Sequence, residues 1–412
     1  MADESARMKP DDGAATEAGS TRQRHLRNLE GATIGIKRSR RALKELATSL
    51  KDLMAAIRDE TKLLEGDETL ATLRSAADPD SDHQTIADQR LRAIVPVTQP
   101  MLLCSQVQRA GGTLLCRLFD GHPSCFAHPS ELRWGRPRKW NWPQVDLSLE
   151  SPDDLLSQVI EGWPQRFAAH GYHKYSNWTH RHHPEQARVY PFLFDEVLQR
   201  RLFAKTLAHA RARSQRDVLN AYLTSLFNGW VDYQNLYREP KRWVTAFVPR
   251  LAMEPGEADR FFADYPDGLL VTLVREPGAW LSSFGRHVGM EDPNEALSHW
   301  LASADASLRA HAARPDRVIV LLFEDLVHRT EAAMRLLCER MQIPFSDVLL
   351  EPTYNSMSVL SDSSHELATG IDPDVTSRHR EALSTTELDL VARRATPRYL
   401  EISARFALTQ AT

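Results

Sequence analysis

Arg109, Gly111, Gly112 and Thr113 fall inside one five-residue span of a chain of 412 residues. A guanidinium, two residues without Cβ and a hydroxyl in so short a stretch suit the holding of a small oxyanion, by backbone N–H groups and by a planar fork of donors. Far downstream Arg275 is followed eight residues later by Ser283, a second pairing of a cation with a hydroxyl. Between the two lie Glu131 and His128, side chains able to take a proton from an attacking group.

The flanking sequence says which elements position these residues. Met101–Cys104, MLLC, is an apolar run of the kind shown by a strand buried on both faces. After the glycine loop Thr113 is expected to cap a helix with Leu114, Leu115, Leu118 and Phe119 on one face, stopped by Gly121 and Pro123. Strand, glycine loop and helix start bring several N–H groups and the positive end of a helix dipole to one point, an anion site. Leu269–Val274, LLVTLV, reads as another buried strand, ending in Arg275-Glu276-Pro277 and feeding a helix with Pro277 as its first residue.

Comparison with a Walker loop sharpens the choice of anion. Laying GxxxxGK[ST] on Gln106 to Thr113 puts Gly112 where the lysine belongs, so the cation that reaches a triphosphate is missing and Arg109 remains.

Arg109-Ala-Gly-Gly-Thr113-Leu-Leu with His122-Pro123 resembles the phosphosulfate loop, RSGTTLL…HP, of sulfotransferases that use 3′-phosphoadenosine 5′-phosphosulfate (PAPS). Ala110 and Gly112 depart from the pattern, and each removes a hydroxyl. The Arg275-x-Pro…Ser283 arrangement resembles the same family's 3′-phosphate site. The resemblance implies that the stretch Ala110, Gly111, Gly112, Thr113 and Leu114 cradles the 5′-phosphosulfate, Arg109 stabilises the leaving phosphate, and Arg275 and Ser283 select the 3′-phosphate. It implies Glu131 as general base for the acceptor, with His128 the alternative, and Arg378 within reach of the 3′-phosphate. The implied donor is PAPS, used without a metal. Family members often carry a lysine where this chain has Phe247, with Arg250 just beyond.

The expected fold is α/β, a P-loop nucleotide-binding fold with a mainly parallel sheet flanked by helices. Further strands are read at Ser124–Ala127, Arg242–Val248 and Arg317–Phe323. The domain reading is a disordered tail over 1–20, a helical extension over 21–77, a linker over 78–99 and a catalytic domain over 100–412 with a helical insert at about 150–240. Leu43, Leu46, Leu50, Leu53 and Ile57 step by three and four, which fits either an amphipathic helix on its own domain or a short coiled coil that makes a homodimer. Glu324-Asp325 at a strand end also resembles the magnesium-supporting acid of a triphosphatase. A P-loop kinase-like enzyme and a catalytically inactive nucleotide-binding scaffold therefore stand as alternatives.

Composition excludes other classes. At 42% apolar and 26% charged the chain is ordinary for a globular protein, and a net charge of −4 gives no case for a nucleic-acid partner. Four cysteines without CxxC spacing read as buried thiols. His173, His180, His182 and His183 lack the spacing of a zinc site and read as exposed or hydrogen-bonded. No apolar run reaches the roughly 18 residues of a membrane span, and no signal peptide opens the chain, so a cytoplasmic enzyme is expected. The acceptor is left open among small-molecule, carbohydrate, lipid and peptide hydroxyls.

Overall fold

The computed structural model describes residues 79–132, 140–160, 194–208, 214–288, 292–359 and 370–408. The N-terminal tail, the heptad leucines, the histidine cluster, Arg133 and Ser363-Ser364 lie outside the described residues. The chain divides into two compact units, Met1–Gln84 and Thr85–Thr412.

At the centre of the second unit is a five-stranded, wholly parallel sheet in the order β2-β3-β1-β4-β5. The strands are β1 (Met101–Cys104), β2 (Cys125–Glu131), β3 (Trp243–Phe247), β4 (Leu269–Val274) and β5 (Val318–Leu322). Every residue of β1, β3, β4 and β5 is buried, as near-continuous apolar runs require when helices cover both faces. Alternation divides each strand between two cores. Met101 and Leu103 pack in one, with Phe126, Leu219, Leu223 and Phe261, while Leu102 and Cys104 pack in the other, with Leu115, Leu118 and Leu337.

Helices α1 (Pro79–Arg92), α2 (Gly112–Phe119), α3 (Pro152–Ile160), α4 (Glu196–Ala208), α5 (Gln215–Gly229) and α6 (Glu257–Asp264) precede β4 in the chain. Helices α7 (Pro277–Val288), α8 (Pro293–Ala313), α9 (Phe323–His328), α10 (Thr330–Met341), α11 (His379–Ala382), α12 (Thr385–Arg394) and α13 (Thr396–Phe406) follow it. α3, α4 and α5 are the described helices of the stretch at about 150–240. Trp280 of α7 and Trp300 of α8 close a third core with Val274, Val320 and Leu322.

The stretch 78–99, expected as a linker, is structured instead. Its first part is α1, and beyond it Val95 N–H donates to Asn228 Oδ1 at 3.0 Å while Asn228 Nδ2 donates back to Val95 O at 2.8 Å. Val97 N–H donates to Thr224 Oγ1 at 2.9 Å. Two polar side chains of α5 thus serve this segment as a strand neighbour would, satisfying backbone groups that burial would otherwise leave unpaired.

All four cysteines are buried free thiols. Burial pushes the Cys104 and Cys125 thiols up, and that of Cys338 to about 11, so none is poised as a nucleophile at neutral pH.

His122 of the His-Pro pair is structural. Its Nδ1 accepts from Ser124 N–H at 3.2 Å and its Nε2 donates to Pro344 O at 3.0 Å, which fixes a neutral ring. Burial lowers its pKa from the ordinary 6.5, so below that pH the unfolded chain binds the proton more readily than the folded one. The stability that His122 contributes is complete above 6.5 and declines as the pH falls beneath it. Urea unfolding at pH 7.5 and 5.5 is therefore expected to show His122→Gln much less stable than the parent at 7.5, with the gap narrowing at 5.5. A gap independent of pH would contradict this.

Candidate active site

The chain leaves β1 toward β2 and β3 on one side and returns to β4 on the other, so the crevice between β1 and β4 is the switch point of the sheet. Both anion motifs open there, one after each of those strands.

The loop after β1 is held from behind. Ser105 N–H donates to Val271 O at 2.8 Å, Val107 N–H to Ser303 Oγ at 3.1 Å, and Arg250 N–H to Gln106 O at 2.9 Å. Trp280 Nε1 donates to Gln108 O at 2.7 Å, and Arg275 Nη1 to Arg109 O at 3.0 Å. These anchors engage the loop's N–H groups at Ser105 and Val107 and its carbonyls at Gln106, Gln108 and Arg109. Arg109 itself is left-handed, with φ 68°.

α2 starts two residues earlier than expected, with Gly111 rather than Thr113 at the cap. Gly111 has φ 104°, and a Cβ there would stand 2.4 Å from the Phe323 ring, so this position accepts glycine on two counts. A Cβ on Gly112 would meet Gln106 Nε2 at 2.0 Å. The helix ladder begins with Leu115 N–H donating to Gly111 O at 3.1 Å, which leaves the N–H groups of Gly112, Thr113 and Leu114 ahead of it at the positive end of the dipole. Ala110, buried, closes the turn by donating to Val107 O. Gly111→Ala is expected to destabilise the fold by about 1–3 kcal/mol through the strained φ alone. The denaturation midpoint reads this, and a midpoint unchanged from the parent would contradict it.

The two motifs meet through Arg109. Its Nε donates to Ser283 Oγ at 3.3 Å, and its carbonyl receives Arg275. Arg275 is 5% exposed, its Nη2 donates to Val375 O at 3.0 Å, and its guanidinium lies 4.5 Å from the Phe323 ring centroid. The Nε of Arg275 is buried without a hydrogen-bond partner among the described residues. Burial, with a smaller contribution from Arg109, lowers its pKa from 12.5 to about 10, so it remains a cation at neutral pH, poorly solvated and drawn to an anion.

Glu276 and Glu324 organise the strand end. Glu276 accepts from Gly278 N–H and Ala279 N–H at the start of α7, capping it with a carboxylate. Glu324 accepts from Glu276 N–H at 3.0 Å and from Tyr399 O–H at 2.9 Å, and burial pushes its carboxyl up. Asp325 accepts from Arg329 and from Leu408 N–H. The acids that resemble a triphosphatase motif thus tie the loop after β4 to α13 and the C-terminal segment. Among the described residues no cluster of His, Cys, Asp and Glu is placed to hold a metal ion.

Glu131 ends β2 and is half-buried. It pairs in register with Phe247, which pairs with Cys104, so two strand spacings, roughly 10 Å, separate its Cα from the end of β1. A shift in register between Ala127 and Glu131 re-aims the strand just before it. His128 is 7% exposed, deeper than Glu131. Arg378, expected near the 3′-phosphate, has its Nη1 paired with Asp372 at 2.6 Å. Its neighbour His379 stands 3.5 Å from Glu276, and Val375 of the same segment receives Arg275.

Arg109, Arg275, Ser283 and the helix-start amides are therefore assembled at one place, and Glu131 stands across β3 from them. Gln106, Phe323, Trp280, Trp300 and Val375 complete the site but carry no sequence signal. Their types are those of ordinary core or loop residues, and only long-range contacts give them a role. Trp300 Nε1, for example, donates to Arg275 O at 2.9 Å across 25 residues.

No helix among the described residues is long and apolar enough to cross a membrane. No curated protein matches this chain. Solved structures do. The sulfotransferase domain from the curacin biosynthetic pathway is 18% identical, covers 72% of this chain and 98% of its own, and has a TM-score of 0.40. The sulfotransferase domain of the Synechococcus PCC 7002 olefin synthase is 19% identical, with 73% and 96% covered and a TM-score of 0.43. Sulfotransferase STF9 from Mycobacterium avium is 16% identical, with 79% and 81% covered and a TM-score of 0.36. A sequence model of the sulfotransferase family matches residues 103–347, more than half the chain and nearly the whole span from β1 through α10. The chain belongs to the sulfotransferase family.

Proposed function

We propose that the protein transfers a sulfuryl group from PAPS to an acceptor hydroxyl, with Glu131 as general base. The observation that carries the reading is the bridge made by Arg109, whose side chain reaches Ser283 and whose carbonyl is held by Arg275. One cation couples the loop that faces a 5′-phosphosulfate to the pair that faces a 3′-phosphate. A donor carrying both groups fits that coupling, and ADP or ATP lacks the second.

The amides of Gly111, Gly112, Thr113 and Leu114, with Ala110 shaping the turn, hold the phosphosulfate. Arg275 and Ser283 hold the 3′-phosphate, with the buried Nε of Arg275 as a ready donor. Arg378, through its pair with Asp372, positions the segment that carries Val375 beside that phosphate. As the acceptor oxygen bonds to sulfur, the bond from sulfur to the phosphate oxygen breaks, its electrons stay on the phosphate, and the acceptor proton passes to the Glu131 carboxylate. Arg109 offsets the charge that grows on the leaving phosphate. A monoanionic sulfuryl group places less demand on a metal than a phosphoryl group does, so no metal is assigned to the step.

Incubation with PAPS and a panel of phenolic, sugar and hydroxylipid acceptors, in the presence of EDTA, is expected to give 3′,5′-adenosine bisphosphate and a sulfate ester in equal amounts. Activity lost to EDTA and restored by magnesium would contradict the reading. Arg109→Ala is expected to lower kcat/KM for PAPS about tenfold to a hundredfold, from the roughly 1.5–3 kcal/mol of a charged hydrogen bond. An unaltered value in a steady-state assay would remove Arg109 from the site.

A further inference from the structure

The geometry points to an oxyanion subsite on the acceptor side of the loop, built on Arg250, for an acceptor that carries a carboxylate as well as its hydroxyl. This rests on the sulfotransferase reading and deepens it. Arg250 stands three residues past the end of β3. That strand lies between β1, which carries the phosphosulfate loop, and β2, which carries Glu131. The donor-side residues Arg275 and Ser283 are on the opposite flank, after β4.

Arg250 is held in place at a conformational cost. Its φ of 65° is left-handed, a conformation that L residues rarely adopt. The backbone is fixed there by its N–H donating to Gln106 O at 2.9 Å and its carbonyl accepting from Met253 N–H at 2.8 Å. The side chain is clamped as well, with Nε donating to Gln108 Oε1 at 2.5 Å and the guanidinium 5.7 Å from the Trp140 ring centroid.

What the clamp leaves idle is the end of the guanidinium. Nη1 and Nη2 make no hydrogen bond or ion pair among the described residues, although the side chain is half-buried. Burial depresses its pKa, and Glu254 is the acid whose charge opposes that. With Nε engaged, the two Nη groups present parallel N–H donors, the face that two oxygens of one carboxylate match. The guanidinium lies over the Trp140 ring, a cation–π contact that further holds its orientation. A rigid, half-buried cation between the donor loop and the base, with its Nη donors unspent on protein groups, is a preorganised recognition group.

The test uses the whole protein saturated with 3′,5′-adenosine bisphosphate. Two probes of one shape are titrated calorimetrically, 4-hydroxyphenylacetate and its neutral analogue 4-hydroxyphenylacetamide. The carboxylate is expected to bind at least about tenfold more tightly, one charge-assisted contact at 1.4 kcal/mol per tenfold. Arg250→Gln is expected to erase that preference while the bisphosphate Kd stays within about twofold, which also certifies the fold of the variant. Arg250→Lys, which keeps the charge but loses the fork, is expected to retain part of it. A wild-type protein without the preference, whether it binds both probes or neither, overturns the subsite. So does a preference that survives in Arg250→Gln, or a variant that binds PAPS worse than bisphosphate relative to the parent, which would put Arg250 on the sulfuryl group. Failure of the wild type to bind bisphosphate appears before either probe is added, and it sinks the donor reading itself.

Discussion

Glu131→Gln is expected to lower turnover by about 10²–10⁴-fold, the usual worth of a positioned general base, while leaving affinity for 3′,5′-adenosine bisphosphate within about twofold. The amide keeps the shape of the side chain and loses only the ability to take a proton. The split between the two readouts follows from placement. Glu131 shares a cross-sheet row with Phe247 and Cys104 but lies two strands from the loop, so it can serve the acceptor without touching the donor. Single-turnover rates on PAPS beside calorimetry on the product nucleotide measure both quantities. If turnover is unchanged, the role passes to His128, and His128→Gln is then expected to show the loss. No turnover in the parent itself would mark the chain as a nucleotide-binding scaffold.

Arg275→Ala is expected to weaken bisphosphate binding by about 2–5 kcal/mol, roughly thirtyfold to a few thousandfold, with a much smaller loss for ADP. The guanidinium holds Arg109 O and Val375 O together, so its removal also unties the loop after β1 from the segment around 375. Hydrogen exchange at 370–383 is accordingly expected to speed up in the variant. An equal loss for bisphosphate and ADP would mean that Arg275 shapes the loop without meeting the 3′-phosphate. That result would leave Ser283 and the Arg275 Nε without the role given them here.

The sheet is legible in the sequence because strands buried on both faces have little choice of composition. LLVTLV over Leu269–Val274 is helical in no periodicity, and its end at Arg275 is marked by the following proline. The loop is legible for the same reason, since few contexts place Arg109, Gly111, Gly112 and Thr113 together. The cap falls at Gly111 and not at Thr113 because side-chain chemistry favours a hydroxyl there, whereas the backbone at Gly111, with φ 104°, admits the helix start earlier. The segment 78–99 reads as a linker in sequence since the pairing of Val95 and Val97 depends on Asn228 and Thr224, over a hundred residues away. Arg275 reads as a bare cation at a strand end. Two of its donors are in fact committed to carbonyls, and neither carbonyl belongs to a residue whose type could announce it. The place of Arg378 in the C-terminal segment suggests a phosphate ligand, and its pairing with Asp372, invisible in the sequence, adds the part of a strut within that segment.

The assignment of a 3′-phosphate nucleotide to the crevice between β1 and β4 stands or falls on calorimetric titration with 3′,5′-adenosine bisphosphate, ADP and ATP, each with and without magnesium. Micromolar or tighter binding of the bisphosphate is expected without metal, with ADP at least about tenfold weaker for want of the charge that Arg275 and Ser283 meet. Tightest binding of ATP in the presence of magnesium would contradict the assignment, and would turn attention to Glu324 and Asp325.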